Sequence, residues 1–282
     1  MDLSNISAEK RALLKRIEEA EKAGKFDESV EEDLPAKELF PNDVDYLCEK
    51  IPSKIKRRIA NRIADRYFLN LIKKDVLIID GVTGQEYLPA LEKGAIITCN
   101  HFSPMDNYIV FHCIRKVLPR KYLYKVIREG NYTNFKGLYG FFFRHCHTLP
   151  LSRNRRTMLD FMKAVQKLLE QGESILVYPE QEMWWNYKKP RPFKVGAFKL
   201  AYRANVPVLP TFISMQDDEN RLDKDGYPLQ RHTFHILPPV YPDAALGEKV
   251  GAEKMMQETF ALYKAKYEDV YKKPLTYVEN DL

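Results

Sequence analysis

Ala95-Ile96-Ile97-Thr98-Cys99-Asn100-His101-Phe102-Ser103-Pro104-Met105-Asp106 is the stretch on which the reading of this chain turns. The run from Ala95 to Cys99 is short and apolar, as expected of a buried strand. It delivers an imidazole and a carboxylate, five positions apart, to its carboxyl end. Pro104 suits the first turn of a helix, with Ser103 before it as a cap. An imidazole held there can take a proton from an alcohol. A carboxylate bonded to its far nitrogen fixes the tautomer and stabilises the imidazolium. Neither Ser103 nor Cys99 need be a nucleophile if the substrate brings its own hydroxyl.

Outward from this segment, strand and helix patterns alternate. Strands are expected at 75–80, 95–99, 122–127, 147–151, 174–178, 207–213 and 232–237. Helices are expected near 104–117, 134–142, 155–171, 194–204 and 249–273. This alternation predicts an α/β domain over 75–282, with a largely parallel central sheet flanked by helices. Asp225-Gly226 marks a turn inside a polar excursion over 216–231. In open α/β sheets, sites gather at the carboxyl ends of strands. Three polar patches follow strands here: His101 to Asp106, Leu149 to Arg153, and Tyr178 to Glu182.

The chain has 282 residues, 45% of them hydrophobic, enough for one large domain with an appendage. No run approaches the roughly 18 to 20 apolar residues of a membrane span. Met1-Asp2-Leu3-Ser4-Asn5 lacks the basic-then-apolar pattern of a leader. Cys48, Cys99, Cys113 and Cys146 show no framework spacing, which fits reduced thiols in a cytoplasmic chain. His101, His112, His145 and His147 lie near three of these cysteines, with His145 and His147 expected on one face of a strand. No Cys-x2-Cys or His-Glu-x2-His spacing joins them, so packing is the reading and no metal is assigned.

The net charge of +6 is unevenly spread. Residues 1–53 hold 14 acidic and 8 basic side chains, whereas residues 54–74 hold 8 basic and 1 acidic. Residues 1–74 are therefore read as a helical N-terminal appendage. It starts with a charged helix over 7–24, with Leu13, Leu14 and Ile17 on one face. A connector broken by Pro35 and Pro41 leads to a second helix over 54–73. There Ile55, Ile59, Ile63, Tyr67 and Leu71 form an apolar face, and Lys54, Arg57, Arg58 and Arg62 a basic one. That is the pattern of a helix lying in a membrane interface, with its cations on anionic lipid. Trp184 and Trp185, beside Tyr187, are a second candidate membrane contact, the lining of an acyl groove, or an aromatic cluster that simply packs. Gly140-Phe141-Phe142-Phe143 reads either as a membrane contact or as a helix buried beneath the site. A nucleic-acid partner is not supported, since residues 54–74 carry neither a binding motif nor a stacking platform.

Taken in order, these segments resemble the glycerolipid and lysophospholipid acyltransferase family. Asn100-His101 through Asp106 matches its Asn-His-x4-Asp block. Leu149-Pro150-Leu151-Ser152-Arg153 resembles the second block, and Tyr178-Pro179-Glu180 the first half of the third. Val206-Pro207-Val208-Leu209-Pro210 resembles the fourth. Gly84-Gln85-Glu86-Tyr87-Leu88-Pro89 and Lys194-Val195-Gly196-Ala197-Phe198 resemble two further elements. The likeness covers roughly residues 75–213. It departs in block three, where Gln181-Glu182-Met183-Trp184 replaces Gly-Thr-Arg-Ser, so that Met183 stands where the family has an arginine.

The resemblance implies transfer of a fatty acyl group from a thioester, acyl-CoA or acyl-carrier protein, to a lipid hydroxyl, with no cofactor. His101 would be the general base and Asp106 its orienter. Arg153 would bind phosphate through a forked guanidinium. Glu180 would serve acceptor binding or site architecture, and Asn100 and Lys194 would join the substrate-binding residues. Lys188, Lys189, Arg191 and Lys194 are candidates to replace the missing arginine, or are a solvated loop. The acceptor implied is 1-acyl-glycerol-3-phosphate. The alternatives are glycerol-3-phosphate, a non-phosphate lipid, or a non-catalytic module that binds anionic lipid. The place implied is the cytoplasmic face of a membrane, held peripherally.

Overall fold

The computed structural model describes residues 6–31, 35–118 and 122–277; the N-terminal residues read above for a leader lie outside them. Helices α1 (Ala8–Lys22) and α2 (Ile51–Lys73) come first, followed by β1 (Ile78–Thr83) and a 3-10 turn (Gln85–Leu91). Then come β2 (Ile96–Thr98), α3 (Asp106–Ile114), β3 (Tyr124–Ile127), α4 (Glu129–Thr133), α5 (Gly137–His145) and β4 (Thr148–Pro150). The chain continues with α6 (Arg155–Glu170), β5 (Ile175–Val177), α7 (Gly196–Ala204), β6 (Val208–Leu222), β7 (Pro228–Ile236) and α8 (Glu248–Tyr271).

The seven strands form one sheet in the order β1-β7-β6-β2-β5-β3-β4. Every pairing is parallel except β6 with β7. Successive strand residues point to opposite faces. Ile96, Ile175 and Val208 enter the core under α6, α7 and α8. Ile97, Leu176 and Leu209 enter the core under α2, α3 and the 3-10 turn. Because both faces are covered, the central strands read as continuous apolar runs rather than alternating ones.

The helices follow their apolar stripes. In α6, Phe161, Ala164, Val165, Leu168 and Leu169 are buried, a helical repeat facing one core. Asn154 caps this helix by accepting from Arg156 N and Thr157 N. In α8, Met255, Thr259, Tyr263 and Tyr267 form the buried line, and the Tyr263 hydroxyl reaches Thr98 Oγ1 at 3.1 Å. Gly84 sits at φ +74°, where a Cβ would overlap the Ile236 carbonyl; only glycine allows that approach.

Three readings are corrected. The polar excursion over 216–231 is a β-ribbon, paired from Thr211 with Ile236 to Leu222 with Pro228. Its outer part is held by backbone pairing and by ion pairs such as Arg221 with Asp218, so it lacks the apolar alternation that would reveal a strand. His145 and His147 do not share a strand face. His145 ends α5, and His147 has the left-handed backbone of a turn. Helix α3 begins at Asp106 rather than at Pro104. Here Ser103 Oγ accepts from Met105 N, while Asp106 accepts from Phe102 N and Ser103 N.

The N-terminal helices pack onto this body. Leu13, Ile17 and Val30 enclose Trp184. Ala60 meets Phe142 and Cys146 of the α5 segment, and Phe68, Leu71 and Ile72 join the α3-side core.

Five histidines titrate below the usual imidazole value because burial disfavours their charged form: His112, His145, His147, His232 and His235, the last at about 4. The unfolded chain therefore binds more protons below about pH 6.5. Their contribution is fully present above that pH and is lost as pH falls towards 4. His235 alone contributes about 3 kcal/mol over this window. The urea midpoint is expected to fall steadily from pH 7 to pH 4, and less steeply for His235→Gln. A flat profile over that range would refute this account.

Candidate active site

The carboxyl ends of β2 and β5 are neighbours, and they bring blocks one and three together. His101 Nδ1 lies 2.7 Å from Asp106 Oδ2. The imidazole side chain is 20% exposed and the carboxylate 1%. The ring is thus open to a substrate while its partner is shut away. Asp106 Oδ2 also accepts from Phe102 N at 3.2 Å and Ser103 N at 3.3 Å. Its other oxygen accepts from the Tyr178 hydroxyl at 2.5 Å. A carboxylate accepts only, so His101 carries its proton on Nδ1 and offers the lone pair of Nε2.

Tyr178 makes a second contact. Its ring stacks on the His101 ring with centroids 3.9 Å apart and planes 13° from parallel. One side chain therefore fixes both members of the pair. Burial, reinforced by the Asp106 charge, holds the Tyr178 phenol well above its ordinary value, so it remains a donor.

Glu180 sits beneath this pair and is 3% exposed. It accepts from His101 N at 3.3 Å, from Arg191 N at 3.2 Å, and from Arg191 Nε and Nη2. Burial raises its pKa and the Arg191 guanidinium opposes that rise. All of these bonds run to the chain's own groups. The His101 carbonyl accepts from Trp184 N at 3.2 Å, so the histidine backbone is held from both sides by block three.

The remaining sequence candidates separate. Asn100 is buried and clamps β6, giving Nδ2 to the Ile213 carbonyl and accepting from Ile213 N; it faces the fold rather than a substrate. Lys194 pairs with Asp27 at 2.7 Å. Lys188 pairs with Asp217, Lys189 with Glu21, and Arg191 with Glu180. All four basic residues after block three thus have carboxylate partners, and Arg191 is fully buried. Arg153 follows β4, three strand positions from β2, or about 14 Å along the sheet edge. Its Nε meets Glu129 at 3.1 Å and its Nη2 the Ala36 carbonyl at 2.7 Å.

Trp184 is corrected as a membrane contact, and Trp185 is half-buried. Trp184 is fully buried under α1, stacked on Phe26, with Nε1 donating to the Glu28 carbonyl. Trp185 lies against Tyr227 and under the Lys10 ammonium. Residues 6–30 supply this cover, which no local pattern in 178–187 announces. On α2, Ile55, Ile59 and Ile63 are 55%, 48% and 40% exposed. Arg58 and Arg62 are exposed as well. Arg57 is the exception: it turns inward over the Tyr124 ring and donates to its hydroxyl. Tyr67 and Leu71 face protein, not solvent.

Sequence reasoning missed three site residues. Tyr178 was legible only as the aromatic of a block, and Arg191 only as one cation of a loop. Arg128 follows β3, the strand between β5 and β4, and pairs with Glu182 at 2.8 Å. Its signal was a basic residue at the end of an apolar strand.

The chain is similar to known acyltransferases. An acyltransferase family model matches residues 81–214. A 1-acyl-sn-glycerol-3-phosphate acyltransferase of Chlamydomonas reinhardtii is 31% identical over 131 residues, which are 46% of this chain and 36% of that protein. A 1-acyl-sn-glycerol-3-phosphate acyltransferase of Saccharomyces cerevisiae is 25% identical over 211 residues, 72% of this chain and 66% of the yeast protein. The chain therefore spans just over a third of the algal relative and about two thirds of the yeast one. The crystal structure of the 1-acyl-sn-glycerophosphate acyltransferase of Thermotoga maritima superposes with a TM-score of 0.55 at 17% identity, covering 82% of this chain and 87% of the other. At that identity the likeness concerns the fold. His101, Asp106, Arg153 and Glu180 all lie inside residues 81–214, the span that matches the acyltransferase family model.

Proposed function

We propose that this protein moves a fatty acyl group from a thioester to the hydroxyl of a lysophospholipid, with 1-acyl-glycerol-3-phosphate as acceptor. The observation that carries the reading is the His101–Asp106 pair, with the imidazole open and the carboxylate closed. The algal and yeast relatives, both named as 1-acyl-sn-glycerol-3-phosphate acyltransferases, support the choice of acceptor.

In this mechanism His101 Nε2 takes the proton of the acceptor hydroxyl as its oxygen attacks the thioester carbonyl. Asp106 holds the imidazolium that forms. Collapse of the tetrahedral intermediate makes the ester and expels the thiolate, which takes the proton back from Nε2. The donor is acyl-CoA or acyl-carrier protein, and no cofactor takes part. Arg153 Nη1, not engaged by Glu129 or Ala36, is the donor assigned to the acceptor phosphate.

The acceptor is a membrane lipid, and no helix among the described residues is long and apolar enough to cross a membrane. Docking is assigned to α2 and α5, which pack side by side. Ile51, Ile55, Ile59 and Ile63 are exposed beside Leu138 and Tyr139, themselves 44% and 52% exposed. Arg58 and Arg62 flank them. An apolar stripe edged with arginine suits the headgroup boundary of an anionic leaflet, and the cytoplasmic face is the one assigned.

His101→Ala is expected to lower turnover by at least about 100-fold while the thermal transition is kept. The assay supplies lysophosphatidic acid, glycerol-3-phosphate and a neutral lysolipid with labelled acyl donors, and reads the product by mass spectrometry. Product from lysophosphatidic acid is expected to dominate; preference for the neutral lipid would overturn the acceptor.

Tyr178→Phe keeps the stack but removes a donor to Asp106. Loss of one bond to a charged group is expected to lower kcat by about 10-fold. With more charge left on Asp106, the imidazolium is favoured, and the acid limb of the pH–rate profile moves to higher pH. An unmoved limb would reduce Tyr178 to packing.

Arg58→Glu with Arg62→Glu is expected to abolish sedimentation with anionic liposomes, yet to spare activity on a soluble short-chain acceptor. Unchanged sedimentation would place the contact elsewhere.

A further inference from the structure

Helix α2 meets α5 through Ala60, and one turn earlier the same line of α2 carries Lys56. The next line carries Arg57 and Asn61, four residues apart, and Asn61 reaches the His145 carbonyl and His147 Nδ1. The two helices, the 42–48 connector and the start of β4 enclose a cavity of about 180 Å³. It is not the catalytic cleft. His101 follows the carboxyl end of β2, whereas His145 and His147 precede β4, which runs parallel to β2 through β3 and β5. The cavity thus opens at the opposite end of the sheet.

Its lining is cationic. Lys50, Lys56, Arg57 and Arg144 all contribute to the wall. None of the last three has a carboxylate partner among the described residues. Arg57 donates to the Tyr124 hydroxyl, and Arg144 donates to the carbonyls of Tyr132 and Phe135. This is unlike the cations near block three, each of which is paired. Two carboxylates, Asp43 and Asp45, also line the cavity, but both are engaged. Asp43 accepts from Phe40 N at 2.8 Å, and Asp45 accepts from Glu49 N and Lys50 N at 3.0 Å each.

The histidines there report the crowding. His145 is held below its ordinary value first by burial, then by Lys56, Arg144 and Arg57. His147 is buried, its charged form opposed by burial, Arg57 and Lys125. Its Nδ1 meets Asn61 Oδ1, and its Nε2 has no hydrogen-bond partner in the described structure. Four cations against two carboxylates leave the lining net positive, and Lys56, Arg57 and Arg144 have no ion-pair partner among the described residues, which suits an external anion.

We propose that this cavity binds a phosphate group, held by Lys56, Arg57 and Arg144. A phosphate offers oxygens to both guanidinium groups at once, and the ammonium supplies a third positive charge. A cavity of about 180 Å³ has room for a phosphate group. The phosphate is either a free ion or sugar phosphate, or the headgroup of an anionic lipid reached from the adjoining exposed stripe of α2. The proposal does not depend on the acyl-transfer reading.

The test uses the full chain with 13C-labelled histidine, and His145→Gln assigns the His145 resonance. A phosphate among the three cations removes part of the repulsion that His145 feels. Inorganic phosphate at constant ionic strength is expected to raise the His145 titration midpoint saturably, by about half a pH unit or more. Lys56→Gln alone, an exposed position, is expected to weaken the saturable response at least fivefold, and Lys56→Gln with Arg144→Gln to abolish it. Vesicles of phosphatidylcholine with and without phosphatidic acid form the second arm. A response to inorganic phosphate assigns a soluble ligand, and a response only to phosphatidic acid vesicles assigns a lipid headgroup. A chloride response equal to that of phosphate, a response retained in Lys56→Gln, or no response in either arm overturns the proposal.

Discussion

The site rests on one buried carboxylate. Asp106 is almost fully removed from water, and an unpaired charge there would cost several kcal/mol. It is satisfied by four donors: the His101 imidazole, the Tyr178 phenol, and the amides of Phe102 and Ser103. Those donors come from the loop after β2 and from the end of β5. Satisfying the charge therefore sets the loop conformation, the start of α3, the imidazole tautomer and the seating of block three together. Solvent competes weakly in such a place, and the geometry is pre-set for a substrate hydroxyl.

Glu180 extends the same logic one layer down. It ties the His101 amide to Arg191, and Arg191 in turn donates to the carbonyls of Phe26 and Glu182 and lies over the Trp184 ring. A fully buried arginine is tolerated because its donors are matched and its plane is covered. The acidic bias of residues 1–53 acquires a structural reason here. Glu21 and Asp27 meet Lys189 and Lys194 across α1 and the segment after it. The N-terminal helix is a cover over block three, and the loop that lacks the family arginine is occupied by interactions with that cover.

The charge bias of residues 54–74 has two structural outcomes. Arg58 and Arg62 stay in solvent beside an exposed isoleucine stripe, while Lys56 and Arg57 turn towards a polar cavity. A helix of this length presents several faces, and the same excess of cations serves a surface on one face and an enclosed site on another.

The alternation of apolar runs and amphipathic stretches determined the α/β class, and the strand positions fell within a few residues except for the long outer extension of β6. Those strands are buried on both sides, which makes them conspicuous in sequence. The His101–Asp106 spacing was equally legible, because five residues across one strand-to-helix turn leave the two side chains little choice but to meet. The Tyr178 stack, the Arg191–Glu180 pair and the Trp184 cover were not. Trp184 meets a carbonyl 156 residues away, and Arg191 one 165 residues away. Hydropathy around a tryptophan says that it wants burial but not what will bury it, and a lysine or arginine run reads as solvated until a distant acid is brought to it. The ribbon over 216–231 escaped notice for a related reason: backbone pairing holds it, and backbone pairing leaves no mark on side-chain pattern. Periodicity encodes which face of an element is apolar; only the tertiary structure decides what that face meets.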